Sequence, residues 1–437
     1  MTSPTPPLVV PPTRRQQVVK LLGRAGWTTG DQVLVSLTNM ALNVLVANAL
    51  SKEGFGTFAV AFAVYSLIVG GSRALINQPL VVRYTGDGDE RFHEAARSST
   101  GAGILLGIGA GLVTAVVGLF TTDGSGPALI VIGLLMPGLL LQDLWRLAFI
   151  AEGKPQRAVT IDAIWAVGQL VAVAAIWGTG HATASTLLLA WGLVALASGL
   201  VGGRLFGGGP RLRSAWPWVL QQRDLVKYYL ASFLSVLGAN QLAILLIAGI
   251  GSAVIVGSLR AAQVVLGPLN LIGYALAAFA TPEIARRGLR GRRALLVGLG
   301  LSAVMVAVQL AYGLVVLAVP DRWGELAFSD SWDGARSVLG ASLVGLVAIG
   351  AGFGASTLLI ALGFAKQTFW TNLVLGPALI AFSLVGLQLG GAYGAALGLS
   401  LAQCVVTPIQ WVMVVRLMRR HGTGDDLAAA EASDRTA

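Results

Sequence analysis

The sequence predicts an all-α integral membrane protein, with twelve transmembrane helices in two six-helix lobes and both termini in the cytoplasm. Three observations carry that reading: the length of the apolar runs, the side on which basic residues fall, and a weak internal repeat. A spanning helix needs about 20 mostly apolar residues. Such runs occupy 27–50, 55–82, 100–120, 127–151, 158–177, 183–206, 226–248, 253–280, 294–319, 338–362, 368–389 and 391–417. A mean hydropathy of +0.76, with 55% hydrophobic and 11% charged residues, lies far from that of a soluble domain. The longest polar gaps, 83–99, 207–227 and 320–336, are too short to fold alone against chain entropy and read as loops.

The net charge of +10 raises the possibility of a nucleic-acid partner, and the placement of the charges argues against one. With the N-terminus inside, 23 Lys and Arg residues between Arg14 and Arg420 fall on the cytoplasmic side and three, Lys52, Arg322 and Arg336, on the other. That bias obeys the positive-inside rule over every loop, and one missed span would scramble it. The basic excess therefore faces anionic membrane lipids, and no nucleic acid is needed to explain it.

In chain order, residues 1–26 form a cytoplasmic segment. Pro4, Pro6, Pro7, Pro11 and Pro12 predict disorder, and the absence of an apolar stretch before Arg14-Arg15 excludes a cleavable signal peptide. Residues 14–26 fit a short basic amphipathic helix on the inner leaflet. Residues 27–206 make the first lobe, 207–225 a basic cytoplasmic linker, 226–418 the second lobe and 419–437 a disordered tail. The repeat relates the lobes: Leu50 to Gly56, closing the first hairpin, resembles Ile250 to Gly257, closing the seventh span, and Ala151 to Arg157 resembles Ala361 to Gln367. Six spans separate each pair, so the halves are parallel and related by an axis along the membrane normal.

Polar residues inside the spans carry the functional signal, because each costs free energy unless it faces protein or a water-filled cavity. Gln32, Ser36, Asn39 and Asn43 recur at helical spacing in span one, as do Ser66, Gly70, Arg73 and Asn77 in span two. Span eight shows Arg260, Gln263, Gly267, Asn270 and Tyr274, and span seven a weaker version in Tyr228, Ser232, Ser235 and Ala239. Spans three, six and nine are nearly pure Ala, Gly, Leu and Val, as lipid-facing helices should be. The simplest arrangement sets the striped pairs face to face across a hydrated cavity. Neither span two nor span eight contains a carboxylate, so Arg73 and Arg260 make that cavity cationic, and guanidinium suits bidentate binding of phosphate. The expected binding residues are Arg73, Arg260, Asn39, Asn43, Asn77, Gln263 and Asn270. Asp143, Arg146 and Asp162 read as a structural ion-pair cluster. Asp31, one turn into span one, is either a proton or sodium relay or a first-turn charge favoured by the helix dipole.

No catalytic, metal or cofactor site emerges. Cys404 is the one cysteine and reads as a packing residue, and His93, His181 and His421 are scattered. No Gly-rich phosphate loop occurs, so energy must come from an ion gradient, the membrane potential or consumption of product.

These residues resemble the polysaccharide exporter and O-antigen flippase (Wzx-type) branch of the multidrug/oligosaccharidyl-lipid/polysaccharide (MOP) exporter superfamily. The resemblance rests on Gly26 to Gln32 with Asn39 and Glu53 to Gly56, on Asn77 to Tyr84, on Leu141 to Arg146 with Asp162, on Gly257 to Asn270 followed by Pro282-Glu283, and on Trp323-Gly324 with Asp330 to Trp332. It implies a MOP/MATE-like fold in a bacterial cytoplasmic membrane. It also implies alternating access and a lipid-linked saccharide, borne on a polyprenyl diphosphate, as substrate. Polysaccharide polymerase and glycosyltransferases become expected partners. A lipid II flippase fits less well, since that branch has two further C-terminal spans.

Three competing classes were weighed. A MATE-type drug/cation antiporter would be expected to place acids in its cavity, where this sequence offers arginines. A major-facilitator sugar transporter lacks support, because Tyr84 to Arg91 is a poor substitute for that family's loop after span two. A membrane glycan polymerase or glycosyltransferase would need a larger outer loop than 321–336, whose Asp321, Glu325, Asp330 and Asp333 read as solvated charges.

Overall fold

The computed structural model describes residues 14–85, 89–122, 124–287 and 289–434. The expected disorder of 1–13 lies outside the described residues. Along the chain, the region expected to form the first lobe holds α1 (Arg14–Ala49), α2 (Lys52–Ser72), α3 (Gln78–Tyr84), α4 (Asp89–Phe120), α5 (Gly126–Ala151), α6 (Pro155–Gly178) and α7 (Ala184–Phe206). A short α8 (Ala215–Gln221) lies in the linker. The second lobe comprises α9 (Arg223–Phe233), α10 (Ala239–Ile250), α11 (Ala253–Leu266), α12 (Pro268–Arg287), α13 (Gly291–Ala318), α14 (Asp321–Phe328), α15 (Ser331–Ala361) and α16 (Ala365–Asp434). One π-turn, Arg73–Asn77, joins α2 to α3, and another, Leu234–Gly238, joins α9 to α10.

Among the described residues, ten helices are long and apolar enough to cross a membrane. They become eleven when α11 and α12, bent by 53°, count as one span. The last of the ten is itself folded. Gly390 and Gly391 leave the helical region, Gly391 at φ 56, a left-handed backbone that glycine tolerates without strain. The two legs then pack antiparallel: a Cβ on Gly386 would sit 2.0 Å from the Gly394 carbonyl oxygen, and one on Gly398 would sit 2.0 Å from that of Phe382. Close backbone approach through small residues is how helices associate where lipid tails leave no hydrophobic driving force between them.

Three details differ from expectation. Residues 14–26 are not a separate helix but the first turns of α1, which runs unbroken for 36 residues. The backbone of α16 is helical to Asp434 rather than disordered, in line with the helix-forming run Leu427 to Ala432. The outer loop after span nine folds an eight-residue helix, α14. Its acids hold structure together: Asp321 accepts the Trp332 Nε1–H at 3.0 Å, and Asp333 pairs with Lys52 at 3.1 Å.

Burial sorts the helices by role. In α5, 78% of the apolar window is buried, against 28% in α4 and α13, whose Val113, Phe120, Leu314 and Val315 face outward. α4 and α13 thus present broad exposed apolar faces, as expected of lipid-facing helices, and α1, α6 and α16 bury the same 28%. α7 departs from that expectation: Leu187, Leu188 and Trp191 are buried, with Gly192 and Gly199 set against α5.

The two lobes meet at the end assigned to the outer face. Gly56 and Gly257, mates in the sequence repeat, touch there. A Cβ on Gly257 would lie 3.0 Å from the Gly56 Cα, and one on Gly56 would lie 2.2 Å from the Ala253 carbonyl oxygen. Such contact between equivalent positions is what a twofold axis through the interface produces. Asn48 Nδ2 donates across the interface to the Ala327 carbonyl at 2.5 Å. At the opposite end, Arg83 in the last turn of α3 reaches Asp224 in α9 at 2.6 Å and the Gln221 carbonyl at 2.6 Å.

Candidate functional site

The polar stripes line adjoining cavities, two of them large. The first, about 360 Å³, opens among α1, α2, α5, α6 and α7 and reaches Phe233 and Gln241 of the second lobe. The second, about 340 Å³, lies between α1 and the α11–α12 bend. Phe62 and Asn39 line both, and a small third cavity lined by Phe62, Ser66, Gln241, Arg260 and Gln263 lies between them.

Arg73 lines the first of these cavities and Arg260 the second, where a single cationic cavity was expected. In the first cavity Arg73 makes a fork to Asp143, with Nη2 at 2.5 Å from Oδ1 and Nε at 3.0 Å from Oδ2. The acid comes from α5, so a search for partners within span two alone could not find it. The expected Asp143, Arg146 and Asp162 cluster is re-paired accordingly. Arg146 donates to Asp162 Oδ2 at 2.5 Å and to Asp31 Oδ2 at 2.6 Å, and Gln142 donates to Asp162 Oδ1 at 2.6 Å. Asp31 is 1% exposed and lies far inside α1, which excludes the first-turn reading. Its Oδ1 is buried with no partner among the described residues. Three carboxylates thus face two guanidiniums, and the first cavity carries one formal negative charge in excess when all are ionised.

The second cavity is the cationic one. Arg260 Nε donates to Asn43 Oδ1 at 3.1 Å, and its guanidinium carbon stands 4.1 Å from the Phe62 ring centroid, a cation–π contact. Among the described residues no carboxylate pairs with it. Asn43 is oriented by its own Nδ2, which donates to the Asn39 carbonyl at 2.7 Å. Gln263, Asn270 and Tyr274 continue the lining along α11 and α12. Of the expected binding residues, Arg260, Asn39, Asn43, Gln263 and Asn270 therefore converge, and Arg73 faces the other cavity. Asn77 lines neither. It is buried in the π-turn, with both amide heavy atoms unpartnered among the described residues.

An aromatic wall escaped the sequence reading. Tyr65 meets Trp191 edge-on at 4.8 Å, Phe62 lies 5.9 Å from Trp191, and Trp165 5.5 Å from it. A signal was available, since Phe62 and Tyr65 flank Ser66 on the striped face of span two. Phe233, from the second lobe, packs on the other end of that face: a Cβ on Gly70 would fall 2.3 Å from its ring.

No family model and no curated protein matches the sequence. Solved structures do match the fold. An inward-facing multidrug resistance MATE family transporter of the MOP superfamily superposes with a TM-score of 0.67 at 14% identity, over 88% of this chain and 94% of that one. The lipid II flippase MurJ in an inward closed conformation gives 0.68 at 11% identity, over 90% and 87%. An outward-facing MATE family transporter gives 0.56 at 12% identity, over 92% and 96%. The chain is therefore a multi-pass membrane protein with the fold shared by MATE transporters and the MurJ flippase.

Proposed function

We propose that this chain is a flippase of the Wzx-type branch, moving a polyprenyl-diphosphate-linked oligosaccharide across the bacterial cytoplasmic membrane by alternating access. The observation that carries the proposal is Arg260: a guanidinium without a carboxylate partner among the described residues, in a cavity between the lobes lined with amides. An uncompensated arginine at mid-span costs about 2.5 to 3.5 kcal/mol on insertion scales, and a diphosphate that enters the cavity offsets that cost. The amides of Asn39, Asn43, Gln263 and Asn270 suit sugar hydroxyls, and the rings of Phe62, Tyr65 and Trp191 offer faces on which sugar rings stack. A twelve-span count is supported by the ten apolar helices, the bent pair as an eleventh and the fold at Gly390-Gly391 that divides the last helix. Coupling is assigned to Asp31, whose cluster holds the excess negative charge that a proton or sodium ion would neutralise.

That same excess charge favours a second reading, a MATE-type drug/cation antiporter in which the first cavity takes a cationic substrate. The two readings separate in cells deprived of the chain. Accumulation of lipid-linked saccharide in the inner leaflet, with loss of glycan from the outer face, is the flippase result. Unchanged glycan export with heightened sensitivity to cationic dyes would establish the antiporter instead.

A further inference from the structure

We propose that a groove on the flank of the first lobe, between α5 and α7 near their junction with the linker, binds one anionic glycerophospholipid. Its assignment to the inner leaflet rests on the N-in topology above. The cavity measures about 490 Å³ and shares no lining residue with the two cavities between and within the lobes. Its upper part is apolar. Leu141 and Trp145 of α5 face Gly199, Leu200 and Gly203 of α7, and Leu200 is 55% exposed, so the groove opens toward acyl chains. Trp145 forms its floor, fully buried beneath Gly203, with an Nε1–H that has no partner among the described residues.

The rim has the opposite chemistry. α7 ends at Gly207 in the left-handed region, φ 86, and the chain turns through Gly208, Gly209 and Pro210. Three guanidiniums gather on that turn. Arg204 lines the groove, Arg97 Nε donates to the Gly209 carbonyl at 2.8 Å, and Arg157 Nη1 donates to the Leu205 carbonyl at 2.8 Å. Main-chain carbonyls fix Arg97 and Arg157 without neutralising them, and none of the three has a carboxylate partner among the described residues. Two nearby carboxylates are held by other cations: Glu94 by Arg211, and Glu152 by His93 and Lys154. Guanidiniums at headgroup depth bind a phosphodiester through paired, charge-assisted hydrogen bonds, while the groove above them is shaped for a hydrocarbon chain. Free phosphate would satisfy the arginines and leave the groove uncovered. A zwitterionic lipid would gain less from three uncompensated cations.

Native mass spectrometry of the full chain, equilibrated in micelles holding equal phosphatidylglycerol and phosphatidylcholine, tests the site. The expected result is one phosphatidylglycerol per chain, retained over phosphatidylcholine by about tenfold. The double variant Arg97→Gln/Arg204→Gln should lose that preference. Gly203→Leu, which fills the groove and leaves the charges in place, should lose the bound lipid altogether. Arg260→Ala should retain phosphatidylglycerol as the parent does, so this site and the transport reading fail separately. Equal retention of both lipids by the parent chain would overturn the proposal, as would undiminished phosphatidylglycerol on both groove variants. Displacement of the lipid by inorganic phosphate alone would reduce the site to an anion site and overturn it equally.

Discussion

Arg73 shows how far a single residue can mislead when its neighbours come from elsewhere in the chain. Its place on the stripe of span two was legible, and its partner was not, because Asp143 lies 70 positions away. The pair is half exposed on the arginine side, 46% against 5% for Asp143. Arg73→Ala should therefore destabilise the chain by roughly 1 to 3 kcal/mol, less than the loss of one partner from a fully buried pair. Detergent-solubilised thermal unfolding would show this, and Arg73→Ala/Asp143→Asn should recover most of the loss. A double variant no more stable than the single one would mean that the arginine does more than neutralise Asp143. Asp31 invites the companion test. Asp31→Asn keeps the shape of the side chain, removes the excess charge and leaves Arg146 paired with Asp162. It should insert and bind substrate but fail to transport under an imposed proton or sodium gradient in proteoliposomes; normal gradient-driven transport would remove Asp31 from coupling.

Among the elements, apolar length located the spans because the bilayer sets one scale for all of them. What it could not supply was the bend between α11 and α12, the π-turns or the burial of α7, since these follow from packing partners. The topology is open to chemical labelling. In a Cys404→Ser background, single cysteines near Gly124, His181 and Asp330 should react from outside, and those near Arg213 and Arg290 only after permeabilisation. Labelling of Arg213→Cys in intact cells would sink the N-in arrangement. Gly56 tests the lobe contact at its closest point. Gly56→Val puts two methyl groups where Ala253 and Val254 already stand, so it should force the outer ends apart and make Gln263→Cys reactive from outside. Unchanged protection of that cysteine would show that the outer ends do not close the cavity.

For the whole molecule, the internal repeat was the most telling sequence signal. It named Gly56 and Gly257 as mates, and the structure sets them in contact across the interface. The acid facing Arg73 was not legible, because a helical stripe reports which face is polar and not what faces it. Acids gather beside Arg73 and Arg146, while Arg260 stands among amides on the far side of Phe62. The proposed flippase reading gives these places two tasks: charge coupling at Asp31 and substrate recognition at Arg260.

Recognition at Arg260 is the central claim, and binding to the purified chain tests it most directly. A polyprenyl-diphosphate saccharide should bind the parent chain, and Arg260→Ala should weaken that binding by about 10- to 150-fold, the worth of one charge-assisted contact of about 1.5 to 3 kcal/mol. Arg260→Lys should recover only part, since ammonium keeps the charge and loses the fork. Arg260→Ala binding the diphosphate saccharide as tightly as the parent, in a chain that remains folded, would contradict the account.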